Sequence, residues 1–155
     1  MKFLKYLTLA CVILLPASAP AEEDTGLMSI SLIQGDVQIS GPDFTDWTAA
    51  SINMPLYEGD RIWVPDGGRL ETHIRGGVYT RADENTALDV LSLGRDSVQF
   101  YLDRGHIYIN NRRGGIKTAQ VDTPLASIRS YDNSVMMLDV AEGGLTEVSV
   151  LRGDV

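Results

Sequence analysis

The chain has 155 residues, enough for one domain with a real core and too few for two ordinary ones. It carries 21 acidic against 13 basic residues, a formal charge of −8. That sign excludes DNA or RNA binding by counterion release and disfavours anionic membrane surfaces. Arg112-Arg113 is the only basic doublet and reads as a solvated turn.

The N-terminus reads as an export leader. Lys2 and Lys5 form a basic start, "YLTLACVILL" (Tyr6 to Leu15) is apolar, Pro16 breaks it, and "ASAPA" supplies small residues for cleavage. A cut after Ala19 would put Pro20 next to it, which hinders peptidases, so the preferred cut follows Ala21. The apolar run of about ten residues is short of the ~20 that span a bilayer, so no stable membrane span is expected after cleavage. Cys11 is the only cysteine. Thr8 stands where a lipobox wants leucine, and the apolar run continues past the cysteine, which argues against lipidation. The remaining chain then has no disulfide, no thiol nucleophile and no cysteine-ligated zinc. The expected organisation is a signal peptide over 1–21, a linker over 22–28 and a β domain over 29–155.

Beyond the leader no window carries an apolar stripe at helical period, whereas period-two alternation recurs. In "LETHI", Leu70, Thr72 and Ile74 share a face opposite Glu71 and His73. "SVQFYL" aligns Val98, Phe100 and Leu102. "HIYIN" aligns Ile107 and Ile109 against His106, Tyr108 and Asn110. "MMLDV" aligns Met136, Leu138 and Val140, and "TEVSV" aligns Val148 and Val150. Each reads as a strand with one buried and one wetter face. Gly-Gly pairs at 67–68, 76–77, 114–115 and 143–144 accept the positive φ of tight reversals. Asp66-Gly67 is itself a hairpin signal. The expectation is an all-β fold of roughly ten short strands, a compact two-sheet sandwich or a short solenoid-like roll.

"LIQGDVQI", "LYEGDRIWV", "YLDRGHIYI" and "SVLRGDV" echo one another as an apolar pair, a glycine and a new alternating run. Their spacing is irregular, so this reads as one corner reused rather than a strict repeat. Aspartate accepts hydrogen bonds from nearby backbone amides at bends. The acids of "LYEGDRIWVPDGGRLETHI" therefore read as turn residues, with Asp60 at a corner and Asp66 in a hairpin, rather than as a catalytic or metal cluster.

These turns and strands, taken in order, resemble the FecR domain. The matching positions are Gly59, Asp60 and Ile62; Gly77 and Val78; Thr86, Ala87 and Leu88; Leu102, Gly105, Ile107 and Ile109; and Val121, Thr123 and Pro124. Gly35, Val37 and Trp47 fit upstream. The resemblance covers about Ser29 to Val155. Two departures stand out. The family's Gly-Thr after Thr-Pro is replaced by "SYDNSVMML", with the turn rebuilt on Asp132 and Asn133. Family regulators also carry a cytoplasmic sigma-binding segment and a membrane helix where this sequence has its leader, so only the extracytoplasmic domain's role carries over. The family adds a further strand after the point where this sequence reaches Val155, so the domain reads as the front part of a longer one.

Catalysis finds little footing. His73 and His106 are far apart and each lies on the wetter face of a strand, which is a poor start for a metal site. "RADEN" lacks the twelve-residue calcium-loop pattern. There is no Gly-x-Ser-x-Gly, and no helix follows a glycine-rich loop. Paired carboxylates abound in any acidic chain and do not by themselves indicate glycosidase chemistry. No enzyme, metal or cofactor is expected. Trp47, Trp63, Tyr101 and Tyr108 form the candidate binding surface, since exposed aromatics stack on sugars or peptides; the commoner role for both tryptophans is core filling. Gly59, Asp60, Asp66, Gly67, Gly105, Thr123 and Pro124 are the structural turns. The expected role is recognition or signalling in the periplasm or cell envelope through an envelope protein partner. The alternative is a polysaccharide- or peptidoglycan-binding or spacer module of a larger envelope protein.

Overall fold

The computed structural model describes residues 28–42, 46–112 and 115–155. The expected signal peptide, the linker before Met28, and Gly114 of one Gly-Gly pair lie outside the described residues. Those residues form thirteen strands and no helix. In chain order they are β1 (Met28–Gln34), β2 (Gln38–Ser40), β3 (Thr48–Ala49), β4 (Pro55–Leu56), β5 (Arg61–Val64), β6 (Arg69–Ile74) and β7 (Val78–Ala82). Then follow β8 (Thr86–Leu93), β9 (Ser97–Asn110), β10 (Thr118–Asp122), β11 (Ser127–Tyr131), β12 (Val135–Val140) and β13 (Thr146–Arg152).

The strands make one connected, curled sheet rather than two separate ones. Its main path runs β3-β2-β5-β8-β9-β7-β6-β1-β4, with β10 and β12 each also joined to β9 and carrying β11 and β13 outside them. Every pairing is antiparallel except β9 with β10. β9 is 14 residues long and serves both halves. Its first part, Ser97 to Arg104, lies between β8 and β10; its second, Gly105 to Asn110, lies between β7 and β12. The strands number thirteen rather than roughly ten, and the expectation of two short strands here fails for a separate reason. Gly105 turns the backbone at φ 92 yet stays in register with Val140, so the chain bends without leaving the ladder.

The alternating residues supply the core between the curled halves. Leu70, Thr72 and Ile74 of β6, Val98, Phe100 and Leu102 of β9, Ile107 and Ile109 further along it, and Met136, Leu138 and Val140 of β12 are all buried. Phe100 is fully buried, and enclosing one such side chain contributes ~2–3 kcal/mol. β13 departs from the expected pattern. Val148 and Val150 oppose the buried Leu138 and Met136, yet remain 36% and 44% exposed. Among the described residues β13 pairs with β12 alone, so the alternation persists at an edge that no described strand covers.

The turn chemistry also needs one correction. Pro65 to Gly68 is a turn, closed by Gly68 N–H to Pro65 C=O at 2.9 Å with Gly67 at φ 65. It does not close a hairpin. β5 pairs with β2 and β8, and β6 with β1 and β7, so Asp66-Gly67 passes the chain from one half of the sheet to the other. A dipeptide specifies the reversal but not which strands meet beyond it. Gly76-Gly77 and Gly143-Gly144 do sit in hairpin loops, joining β6 to β7 and β12 to β13.

Candidate functional site

The acids of the 56–74 stretch are tied down separately. Asp60 is buried, and its carboxylate accepts the Tyr57 N–H at 2.7 Å. Burial pushes its carboxyl up, and the Tyr57 hydrogen bond partly opposes that. Glu58 accepts the Leu93 N–H at 2.7 Å, and Glu71 pairs with Arg81 at 2.6 Å. Asp66 is exposed on its turn. Among the described residues no three His, Cys, Asp or Glu side chains gather to hold a metal.

Glycine and threonine build the other corners. Gly35, Gly59, Gly105 and Gly153, the shared glycines of the four echoing segments, all have positive φ. At Gly105 there is also no room: a Cβ would lie 2.4 Å from Thr86 Oγ1 and 2.6 Å from Thr86 Cα. Thr86 Oγ1 accepts the His106 N–H at 3.0 Å and reaches the His106 C=O at 3.2 Å. One hydroxyl thus fastens the bend of β9 to the start of β8. At the β10–β11 turn Thr123 Oγ1 accepts the Ala126 N–H at 3.1 Å and meets Thr146 Oγ1 at 2.8 Å; Pro124 follows in the same loop, close to Gly144.

The four candidate aromatics divide. Trp47, Trp63 and Tyr101 come together on the outer face of β5, β8 and β9, around a hollow of about 470 Å³. Tyr108 lies in the other half, with the Arg81 guanidinium 5.7 Å from its ring and the Asn110 amide donating to its hydroxyl at 3.2 Å. Neither tryptophan fills the core: Trp47 is 46% exposed and Trp63 half-buried. Trp63 stands over the outer side of the sheet because it alternates with the buried Ile62 and Val64.

Two rows of side chains cross this face in register. One is Trp63, Ala87 and Arg104; the next is Arg61, Asp89 and Tyr101. Ala87 is small, so the first row has a low centre between two large neighbours. Arg104 stacks 4.9 Å from the Trp63 ring centroid and Arg61 5.5 Å from that of Trp47. Such stacks hold rings and guanidinium groups in place. Burial pushes the Asp89 carboxyl up, Arg61 counters this, and Asp103 adds to it.

Arg104 was missed on the sequence, and its placement has a definite cause. Val98, Phe100 and Leu102 point inward, so strict alternation would send Arg104 inward too. The register shifts between Ala87 and Leu88, giving β9 an extra residue at Asp103 opposite them. Such a bulge re-aims a side chain, and Arg104 emerges beside Trp63. The readable trace is a parity change, from even-numbered apolar residues up to Leu102 to odd-numbered ones from Ile107. A second hollow of about 540 Å³ adjoins the first, sharing Trp63 and Arg104 and reaching Glu84, His106 and Glu142. His106 Nε2 lies 3.3 Å from an Asp139 carboxylate oxygen.

Fold and face together define the class: an all-β domain bent at glycines, in which Glu58 and Asp60 are tied to backbone amides and Glu71 to an arginine. The family model described as FecR protein matches residues 60–155, more than half of the sequence, and the chain belongs to that family. FecR is a signalling and regulatory family. No curated protein and no solved structure matches the chain. The family match takes in Asp60, the Thr86–Gly105 fastening and the Thr123-Pro124 turn, which are the positions that shape the fold. Among the described residues no helix is long and apolar enough to cross a membrane.

Proposed function

We propose that this chain is an exported, non-catalytic FecR domain that recognises a protein partner in the periplasm or cell envelope, in signalling or assembly. Family membership supports the signalling side. The use of Glu58, Asp60 and Glu71 as ties for amides and an arginine supports a scaffold rather than a reaction centre. The observation that carries the reading is β13. It is a seven-residue strand without proline or lysine, paired on one side among the described residues. Val148, Val150 and Leu151 are exposed along it. Natural sheets blunt such edges unless something pairs with them. An extended segment with alternating apolar residues fits here by strand addition: backbone hydrogen bonds supply affinity and the valines supply register.

The test is site-specific crosslinking in the cell envelope. A photoreactive amino acid at Ser149 should give a discrete protein adduct, and the same group at Arg95, on a distant loop, should not. Adding Val148→Glu should abolish the Ser149 adduct while the fold persists. An adduct at Arg95 in place of Ser149, or none at either, contradicts the reading.

A further inference from the structure

The hollow on the outer face of β5, β8 and β9 is used by neither the fold nor the β13 edge. We propose that it is a binding groove for a neutral oligosaccharide.

Its floor is Ala87, and its walls are Trp47, Trp63 and Tyr101, with Arg61 and Arg104 stacked on the two indoles. A guanidinium covers one face of each indole, which leaves the exposed part of Trp47 and the Tyr101 ring as the flat apolar surface for the C–H face of a pyranose. Around them stand two guanidinium groups, which only donate, and the carboxylates of Asp89 and Asp103, which accept. A sugar hydroxyl does both, so a hydroxyl-rich ligand satisfies the set while leaving no group unpaired.

Charge narrows the class further. Arg61 and Arg104 balance Asp89 and Asp103 in the first hollow, and the second adds Glu84 and Glu142. In a chain of formal charge −8 this is no place for a polyanion. A peptide main chain is poorly served as well. β5, β8 and β9 are each paired on both sides, so this face offers no open strand edge for strand addition. The two hollows share Trp63 and Arg104, which lengthens the groove beyond a single ring. The Arg–Trp stacks fix the walls before a ligand arrives, which lowers the entropic cost of binding.

Calorimetric titration with cellohexaose, hexa-N-acetylchitohexaose and a heparin hexasaccharide tests this, with tryptophan fluorescence as the second readout. The first two are neutral and separate plain hydroxyl chains from N-acetylated ones; the third is anionic. At least one neutral hexasaccharide should bind with Kd between about 10 μM and 1 mM and shift the tryptophan emission. Trp47→Ala should weaken that binding at least tenfold. Ala87→Leu, which fills the floor and removes no contact, should do the same with the melting temperature near that of the parent chain. No saturable binding of either neutral sugar overturns the proposal. So does a preference for heparin, or affinity unchanged in both variants. The groove and β13 share no residue, so failure here leaves the strand-edge reading standing.

Discussion

At the scale of single residues, the acids of this chain act through their local partners. Asp60, Glu58 and Glu71 were legible as turn and surface residues because Gly-Asp and alternating patterns carry that meaning wherever they occur. Asp122 was not, because its partners come from three strands, β9, β10 and β11. Burial alone would raise its carboxyl, but hydrogen bonds from Ser127, Gln99 and Gln120, with the charge of Arg129, hold it below the ordinary value of 3.8. A carboxyl depressed on folding adds stability above its unfolded pKa, and that stability is lost as the pH falls through the folded pKa. Asp122→Asn should therefore destabilise the chain most at neutral pH, with the difference shrinking below about pH 4. Urea unfolding of both chains at neutral pH and near pH 3 checks this; an equal gap at both would contradict the carboxylate's role.

At the scale of elements, β9 decides the architecture. Its apolar residues were legible on both sides of Gly105, and so was the glycine. Its continuity was not. A glycine between two alternating runs reads equally as a loop or as a bend inside one strand, and only the pairing of Gly105 with Val140 distinguishes them. Arg104 escaped for a related reason: a bulge shows in sequence only as a shift of parity. Two of the glycines with φ near 90°, Gly143 and Gly105, make a direct comparison. At Gly143 (φ 91) a Cβ would meet nothing within 4 Å, whereas at Gly105 it would strike Thr86 backbone and side chain. Gly143→Ala should cost about 1 kcal/mol for its φ alone, and Gly105→Ala about 3 kcal/mol or more. Chemical denaturation of the two variants measures the difference. Similar losses would mean that the bend of β9 does not depend on the close approach of Thr86.

At the scale of the whole molecule, the sequence carried the all-β class and most inward faces, because period-two alternation reports burial directly. It could not carry the closure of thirteen strands into one curled sheet, since strand partners are chosen by packing at long range. Asp66-Gly67 shows the limit: the turn was readable, its destination was not. β13 shows another: Val148 and Val150 alternate as core residues do, but at an edge with no strand beyond it among the described residues alternation no longer implies burial. The central claim is that β9 is the shared spine of a single sheet and that, among the described residues, β13 is its outermost strand beyond β12. Amide hydrogen exchange followed by NMR tests it most directly. The slowest amides should run through β9 on both sides of Gly105 with one common protection, while β13 alternates between protected amides facing β12 and fast ones facing outward. Independent exchange of the two parts of β9, or uniform protection along β13, would contradict the account.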